Sequence, residues 1–518
     1  MHRLVVAATA LLLMVGAAVV AGYLLLFSDV PDRAARAAPA DTAIYLNVYL
    51  QPSSGQKLSL LALVERLPGF RDAATVEGKV HEVAQRLLGQ AGIDYEADVR
   101  DWLGAQVAIA LAPSGDLGSA PQTLLIAAVK DHAAASSEVP RLMARGGTSY
   151  RSEAYRGQRA MLGATTSYAL LDDLLLVADT PKRLHAALDA EADVTPSLAD
   201  LPAFDAAMST IPADHLASIF VDAARAVSLA GSGHLGGYST AALALTARGD
   251  GLHLDGIAPF ATDVASAATR QAFALGSKTS SLTAWMPSAT RGAVVLFGLQ
   301  QSLADLEAEM GSNPAFGPAT DALNQLRAIA ALGLGVNVDR DLLPLFDAEA
   351  AVAVTDLDPP PMHGQLLLRP ADSAAAAAAL DRMRDGLASR GSSVSTSRAA
   401  GATITSLTVP GIGRLAYATA DGVVILAFDA ADVAASLEAH ASGRTLARDD
   451  RYRTPFKIAG MHAGNELWTD VPGLLDAAAG IFDPGSELRD ILHQIGELAM
   501  SASASGDHLE VHGVLTVK

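Results

Sequence analysis

The chain repeats itself. Tyr168-Ala-Leu-Leu-Asp172-Asp173-Leu-Leu-Leu-Val177 has a counterpart in Tyr417-Ala-Thr-Ala-Asp421-Gly422-Val-Val-Ile-Leu426, 249 residues further on. Gly92-Ile-Asp94-Tyr-Glu-Ala-Asp98 matches Gly335-Val-Asn337-Val-Asp-Arg-Asp341 at an offset of 243, and Asp222 matches Asp470 at 248. The run Asp250-Gly-Leu252-His-Leu254-Asp-Gly256 returns as Asp507-His-Leu509-Glu-Val511-His-Gly513. Blocks in one order at nearly one spacing mark an internal duplication, which restricts the fold to one unit used twice.

Each unit combines hairpins with helices. Thr123 to Val129 and Trp102 to Ala112 read as buried strands, and Asp131 to Ala144 as an alanine-rich helix capped by Asp131. Leu58 to Leu67 and Val76 to Ala91 have helical spacing. Two hairpins turn on Asp172-Asp173 and Asp421-Gly422, and each runs into a helix, at Thr180-Pro181 and at Asp432. A strand, a short helix capped by Asp222 or Asp470 and a last hairpin close each unit. Hairpins interrupted by helices, without βαβ alternation, predict an α+β fold with mostly antiparallel sheets. The expected units are 39–261 and 282–518, joined by a linker over 262–281 with helical character in Ala265–Leu275.

Leu4–Phe27 is an uncharged apolar run of 24 residues, about 36 Å as a helix and enough to cross a hydrocarbon layer of roughly 30 Å. It reads as an uncleaved membrane anchor over 1–28 followed by a polar tether over 29–38, with the N-terminus cytoplasmic and the body extracytoplasmic. A cleaved signal, cut near Ala35-Arg-Ala37, is the rival reading, although the run exceeds the usual length of a signal core. The chain has no cysteine, so disulfides, thiolate chemistry and cysteine metal sites are excluded. Its net charge of −19 repels phosphate backbones and makes a nucleic-acid partner unexpected.

Motifs that carry chemistry elsewhere sit in poor contexts here. Ser54-Gly-Gln-Lys57 fits the S-x-x-K pattern of serine–lysine enzymes, but Pro52, Ser53 and Gly55 read as a loop. Gly231-Ser-Gly233-His-Leu-Gly236 fits a dinucleotide fingerprint with helix and strand in the wrong order. His508-Leu-Glu510-Val-His512 places three candidate metal ligands on one strand face, which is also the pattern of a solvated face. Asp222 and Asp470 read as helix caps, and Asp98 and Asp341 as turn or cap residues. No catalytic, cofactor or metal residue is assigned.

The opening of the first unit carries Pro39-Ala-Asp41-Thr, Tyr45-Leu-Asn47, Gln56-Lys57-Leu, Leu67-Pro-Gly-Phe70 and Trp102-Leu-Gly104. In these motifs it resembles a bacterial family, domain of unknown function 3352. The resemblance implies an anchored extracytoplasmic domain and transfers no catalytic residue. The motifs decay in the second unit, where Trp102-Leu-Gly104 becomes Leu345-Phe-Asp347. The expected function is a non-enzymatic binding or interaction module of the cell envelope, with an envelope protein or ligand as partner. A carrier or sensor of an apolar, lipid-like ligand is the alternative, and a hydrolase built on Ser54, His508 or His512 is a third reading.

Overall fold

A computed structural model describes residues 32–67, 93–114, 120–145, 149–230, 236–312, 317–331, 336–357, 363–410, 413–461, 463–477 and 486–518. The apolar run Leu4–Phe27, the expected helix Val76–Ala91 and most of the glycine-rich loop at 231–236 lie outside them. No helix among the described residues is long and apolar enough to cross a membrane. The body divides into two compact units, Met1–Pro259 and Phe260–Lys518.

The first unit contains β1 (Ile44–Tyr49), β2 (Leu103–Ala112), β3 (Gln122–Val129), β4 (Arg151–Tyr155), β5 (Gln158–Leu162), β6 (Ser167–Leu170), β7 (Leu174–Ala178), β8 (Ala217–Asp222), β9 (Thr240–Arg248) and β10 (Gly251–Pro259). They form one antiparallel sheet in the order β10-β9-β8-β1-β2-β3-β7-β6-β5-β4. Side chains alternate across a strand, so the unbroken Leu174-Leu-Leu176 run means that both sheet faces are covered. Leu174 and Leu176 pack with helices Pro181–Glu191 and Pro202–Met208 through Leu184, Leu188 and Phe204. Leu175 points the other way, into a cluster with Trp102, Tyr95 and Val139 of helix His132–Ala144.

The second unit contains β11 (Gly292–Phe297), β12 (Glu349–Asp356), β13 (His363–Arg369), β14 (Ser393–Ala399), β15 (Ala402–Val409), β16 (Gly413–Ala420), β17 (Val423–Ala427), β18 (Asn465–Asp470), β19 (Ile495–Ser505) and β20 (His508–Val517). Their order is β20-β19-β18-β11-β12-β13-β17-β16-β15-β14, again antiparallel throughout. This is the strand order of the first unit, position for position. Val423 and Ile425 face one core with Trp468, and Val424 faces the other with Leu380 of helix Ser373–Ala388.

Turn and cap chemistry sets the local boundaries. Asp421 and Gly422 both have positive φ, 45° and 75°, as a two-residue hairpin turn requires. The pairs Arg156-Gly157 and Ala400-Gly401 repeat that pattern at the β4–β5 and β14–β15 turns. Asp131 caps its helix through the Ala134 N–H at 2.9 Å, and Thr180 through the Arg183 N–H at 3.2 Å, with Pro181 at the first helical position. Asp222 and Asp470 each end a strand and accept from the backbone N–H three residues on, Arg225 and Gly473, both at 3.0 Å.

Four expectations are corrected. Residues 32–38 are not a free polar tether: Ala34, Ala35, Ala37 and Ala38 are fully buried in the first unit's core. The segment 262–281 is no bare linker either. It belongs to the second compact unit, contributes helix Ala267–Leu275 capped by Ser266, and ends in residues hydrogen-bonded to Glu349. Ser54 lies in a helix rather than a loop. The Ser53 hydroxyl accepts from the Gln56 N–H at 3.1 Å and starts helix Ser54–Val64, so the serine that suggested a turn supplies a cap instead. The helix that follows the second hairpin begins at Ala430, capped by Asp429, two residues before Asp432.

Candidate functional site

Glu349 begins β12 and Glu466 is the second residue of β18, the two strands that flank β11 on either side. Glu349 opposes Phe297 and Glu466 opposes Val295, two residues apart on β11, so both acids project from the same face of the sheet. Both are buried, 4% and 8% exposed. Burying a charge is costly unless it is paired or hydrogen-bonded, and the two acids meet this demand differently.

Glu349 is fully occupied. Its oxygens accept from the Ser280 hydroxyl at 2.7 Å, the Ser281 hydroxyl at 2.6 Å, and the Ser281 and Leu282 N–H groups at 3.0 and 3.1 Å. It acts as a fixed anchor for the chain entering the second unit. Glu466 accepts from the Tyr452 hydroxyl, and no cation among the described residues is paired with it. Burial raises its pKa to about 7, and the nearby Glu349 adds to the rise while the Tyr452 hydrogen bond opposes it. Tyr452 is in turn held well above the ordinary tyrosine value by burial and by Glu466, so it remains a phenol and donates. Its ring packs edge-on against Trp468 at 5.9 Å and tilted against Phe456 at 4.9 Å, which fixes the hydroxyl.

Glu466 and Tyr452 form the floor of a half-open cleft of about 490 Å³, within the size range typical of small-molecule sites. Thr279, Ser280 and Thr283 line one wall; the other is helix Asp450–Ala459, with Arg453, Thr454 and Lys457. Phe456 and Met461 supply an apolar surface. A buried carboxyl that titrates near neutral pH in a cleft is the kind of group that marks a functional site. Here it can present a proton below neutrality or a charge above it, to anything the cleft admits.

The first unit builds the same place from other residues. Gln106 stands where Glu349 stands, and its Oε1 accepts from the Arg33 and Ala34 N–H groups at 3.2 and 3.3 Å. Ser218 opposes Asn47 on β1 as Glu466 opposes Val295 on β11. Asp32 covers this face, accepting from the Tyr45 hydroxyl at 2.7 Å and Gln106 Nε2 at 2.6 Å. The pair of buried glutamates thus belongs to the second unit, with an amide and a hydroxyl in their place in the first.

The motifs singled out in the sequence are dispersed. Ser54 is exposed in the first turn of its helix, and neighbouring Gln56 points inward to accept from the Ala247 N–H at 2.7 Å. His508 and His512 do share a strand face, with Glu510 between them: His508 Nε2 lies 3.0 Å and His512 Nε2 3.6 Å from its carboxylate. Asp507, then Glu510, raise the His508 pKa, which fits an ion-paired surface row. Among the described residues no cluster of three or more histidines and carboxylates has metal-binding geometry. Asp98 and Asp341 are more than turn residues. They are 3% and 1% exposed, each accepts from the N–H of the residue four positions earlier, and each is clamped by arginine: Arg145 on Asp98, Arg340 and Arg382 on Asp341.

Glu349, Glu466 and Tyr452 were not found from sequence. The available signal was an acid beside each of two apolar runs, Glu349-Ala-Ala-Val-Ala-Val354 and Glu466-Leu-Trp468, the latter in phase with a core tryptophan.

The protein is therefore a mixed helix-and-strand protein with an extensive antiparallel sheet and a polar cleft in its second unit. The family model described as "Protein of unknown function (DUF3352)" matches residues 4–508, and the chain belongs to that family. No curated protein matches it. Among solved structures, crystal form III of TP0453 is 11% identical, with 45% of this chain and 81% of that chain covered at a TM-score of 0.25. Crystal form IV of TP0453 is 12% identical over 43% and 79%, at the same TM-score. A likeness this slight bears on neither fold nor function.

Proposed function

We propose that this chain is a membrane-tethered, extracytoplasmic binding module of the cell envelope, built from two copies of one α+β unit. The cleft of the second unit is its ligand site. The observation that carries the reading is the cleft itself: about 490 Å³, mixed in polarity, with the buried Glu466–Tyr452 pair at its floor. The shared strand order supports the duplication, and equivalent details reinforce it. Thr42 and Thr290 each hydrogen-bond the carbonyl of Pro39 or Pro287, and Pro39 and Pro287 bridge to Ser197 and Thr445. The apolar run Leu4–Phe27 supports the tether. Hydroxyls and cations along the cleft favour a polar occupant over the apolar, lipid-like one that composition alone left open.

The test is made in the host. Intact cells or spheroplasts are treated with a membrane-impermeant protease, and the full chain is crosslinked in place. The expected result is a body digested from outside, with a reproducible envelope adduct mapping to helix Asp450–Ala459 or Thr279–Thr283. Digestion only after lysis overturns the topology, and adducts that never map near the cleft overturn its role.

A further inference from the structure

We propose that the second unit's cleft binds a small anionic, hydroxyl-bearing ligand of the sugar-acid class, with Lys457 and Arg453 holding its charge and Glu466 its inner polar end. This rests on the reading of that cleft as the ligand site. The first argument is charge. The whole chain carries −19, yet the ionisable residues lining the cleft are Arg453, Lys457, Asp450 and Glu466. With Glu466 neutral, as its burial favours below neutrality, this lining is net positive by one charge, against the sign of the protein as a whole. Arg453 Nη1 is 3.6 Å from Asp450, an exposed and weak pair. Lys457 is exposed, and no carboxylate pairs with it among the described residues. A cationic ligand would meet two cations at the walls, whereas an anion gains both.

The second argument concerns hydrogen bonding. Thr279 and Thr454 also line the cleft, and a hydroxyl both donates and accepts, as a polyol requires, whereas the Ser280 proton is given to Glu349 and Thr283 hydrogen-bonds Tyr452. The third is the coupling of proton and ligand. The groups that act on Glu466 are Tyr452, whose hydroxyl donates to it, and Glu349 across β11, and Asp450, Arg453 and Lys457 line the same cleft. Tyr452 stays a phenol, so the proton that responds near neutrality is that of Glu466. Its protonated carboxyl donates to a ligand oxygen; its ionised form repels a ligand anion and wastes that contact. Affinity therefore falls as pH rises. When only the protonated fraction is competent, the apparent Kd is the intrinsic value divided by that fraction, about tenfold weaker at pH 8 than at pH 6 for a group titrating near 7.

The experiment is calorimetric titration of the detergent-solubilised full chain with D-glucuronate, D-glucose and D-glucosamine at pH 6 and pH 8. Glucuronate is expected to bind at pH 6 and about tenfold more weakly at pH 8, with the other two at least about tenfold weaker at pH 6. Glu466→Gln keeps a donor and removes the titration, so it should abolish the pH dependence. The exposed Lys457→Gln should weaken binding at both pH values without lowering the melting temperature. Glucose or glucosamine binding as tightly as glucuronate overturns the anion assignment but leaves the cleft as a ligand site. Glucuronate binding that ignores both pH and Glu466→Gln overturns the coupling. No binding of glucuronate at millimolar concentration overturns the proposal, and only the envelope crosslinking decides the broader reading.

Discussion

Replacing Asp341 with asparagine keeps the shape of a buried side chain and removes the charge that organises its surroundings. The carboxylate is 1% exposed and accepts from the Asn337 N–H at 3.1 Å, from Arg340 Nε and Nη2 at 2.8 Å, and from Arg382 Nε and Nη2 at 3.0 and 2.8 Å. An amide nitrogen in that position turns one acceptor into a donor facing donors. Breaking a buried pair costs about 3–5 kcal/mol when the remaining charge is trapped. Here both arginines are roughly half in water, 62% and 46% exposed, and can rehydrate. That lowers the expected cost to about 2–3 kcal/mol, since exposed charge pairs contribute little on their own. For a unit of this size each kcal/mol moves Tm by roughly 2–4 °C, so the second unit should melt roughly 4–12 °C lower. Asp98→Asn should act in the same direction on the first unit but less strongly, because a single arginine clamps it. The Arg340 guanidinium, with Arg382, holds the Asp341 carboxyl well below the ordinary carboxylate range. A depressed folded pKa gives stability that is present above the unfolded value, about 3.9, and lost as pH falls below it. Calorimetry of wild type and variant from pH 7 to pH 2.5 should therefore show the difference shrinking as pH falls below about 4. A variant within about 0.5 kcal/mol of wild type at pH 7, the range of ordinary surface substitutions, would refute the argument.

Other predictions follow from the cleft and the core. Glu466→Gln should raise Tm at pH 8 and leave it nearly unchanged at pH 4. Its folded pKa of about 7 is raised above the reference value of 4.5, so the native carboxyl costs stability as pH rises through that interval, on the order of 3 kcal/mol in all. An unchanged Tm at pH 8 counts against a buried, unpaired acid. Asp222→Ala should cost about 1 kcal/mol in urea unfolding as a lost cap. Asp470→Ala should cost more, since Asp470 is buried and holds Arg291 at 2.7 Å and Arg451 at 2.8 Å where Asp222 pairs with Arg225 at 2.9 Å; equal costs would contradict this. Gly464→Ala places a Cβ 2.1 Å from the Ala502 carbonyl oxygen at a φ of +96°, and should cost well over 1 kcal/mol, more than Gly506→Ala, whose Cβ meets nothing within 4 Å.

Local features of this chain were legible from sequence. The caps at Asp131, Thr180, Asp222 and Asp470 and the turn at Asp421-Gly422 are decided within about four residues, because a side-chain oxygen or a positive φ selects the backbone geometry beside it. The apolar runs Leu174-Leu-Leu176 and Val423-Val-Ile425 likewise announce strands covered on both faces. Ser53 shows the limit of that reading, since one hydroxyl serves a turn or a helix cap and only the geometry distinguishes them. The cleft was not legible. Glu349 and Glu466 lie on strands far apart in the chain, and they share a face only because β11 pairs with both strands in one register; a slip of one residue would turn either acid to the other side. Tyr452 reaches Glu466 from a helix whose place over the sheet is set by Trp468 and Phe456. The burial of Ala34, Ala35, Ala37 and Ala38 and the arginine clamps on Asp98 and Asp341 have the same origin. They depend on which distant surfaces meet, and a pattern of neighbouring residues does not encode burial or charge pairing between elements brought together only by packing.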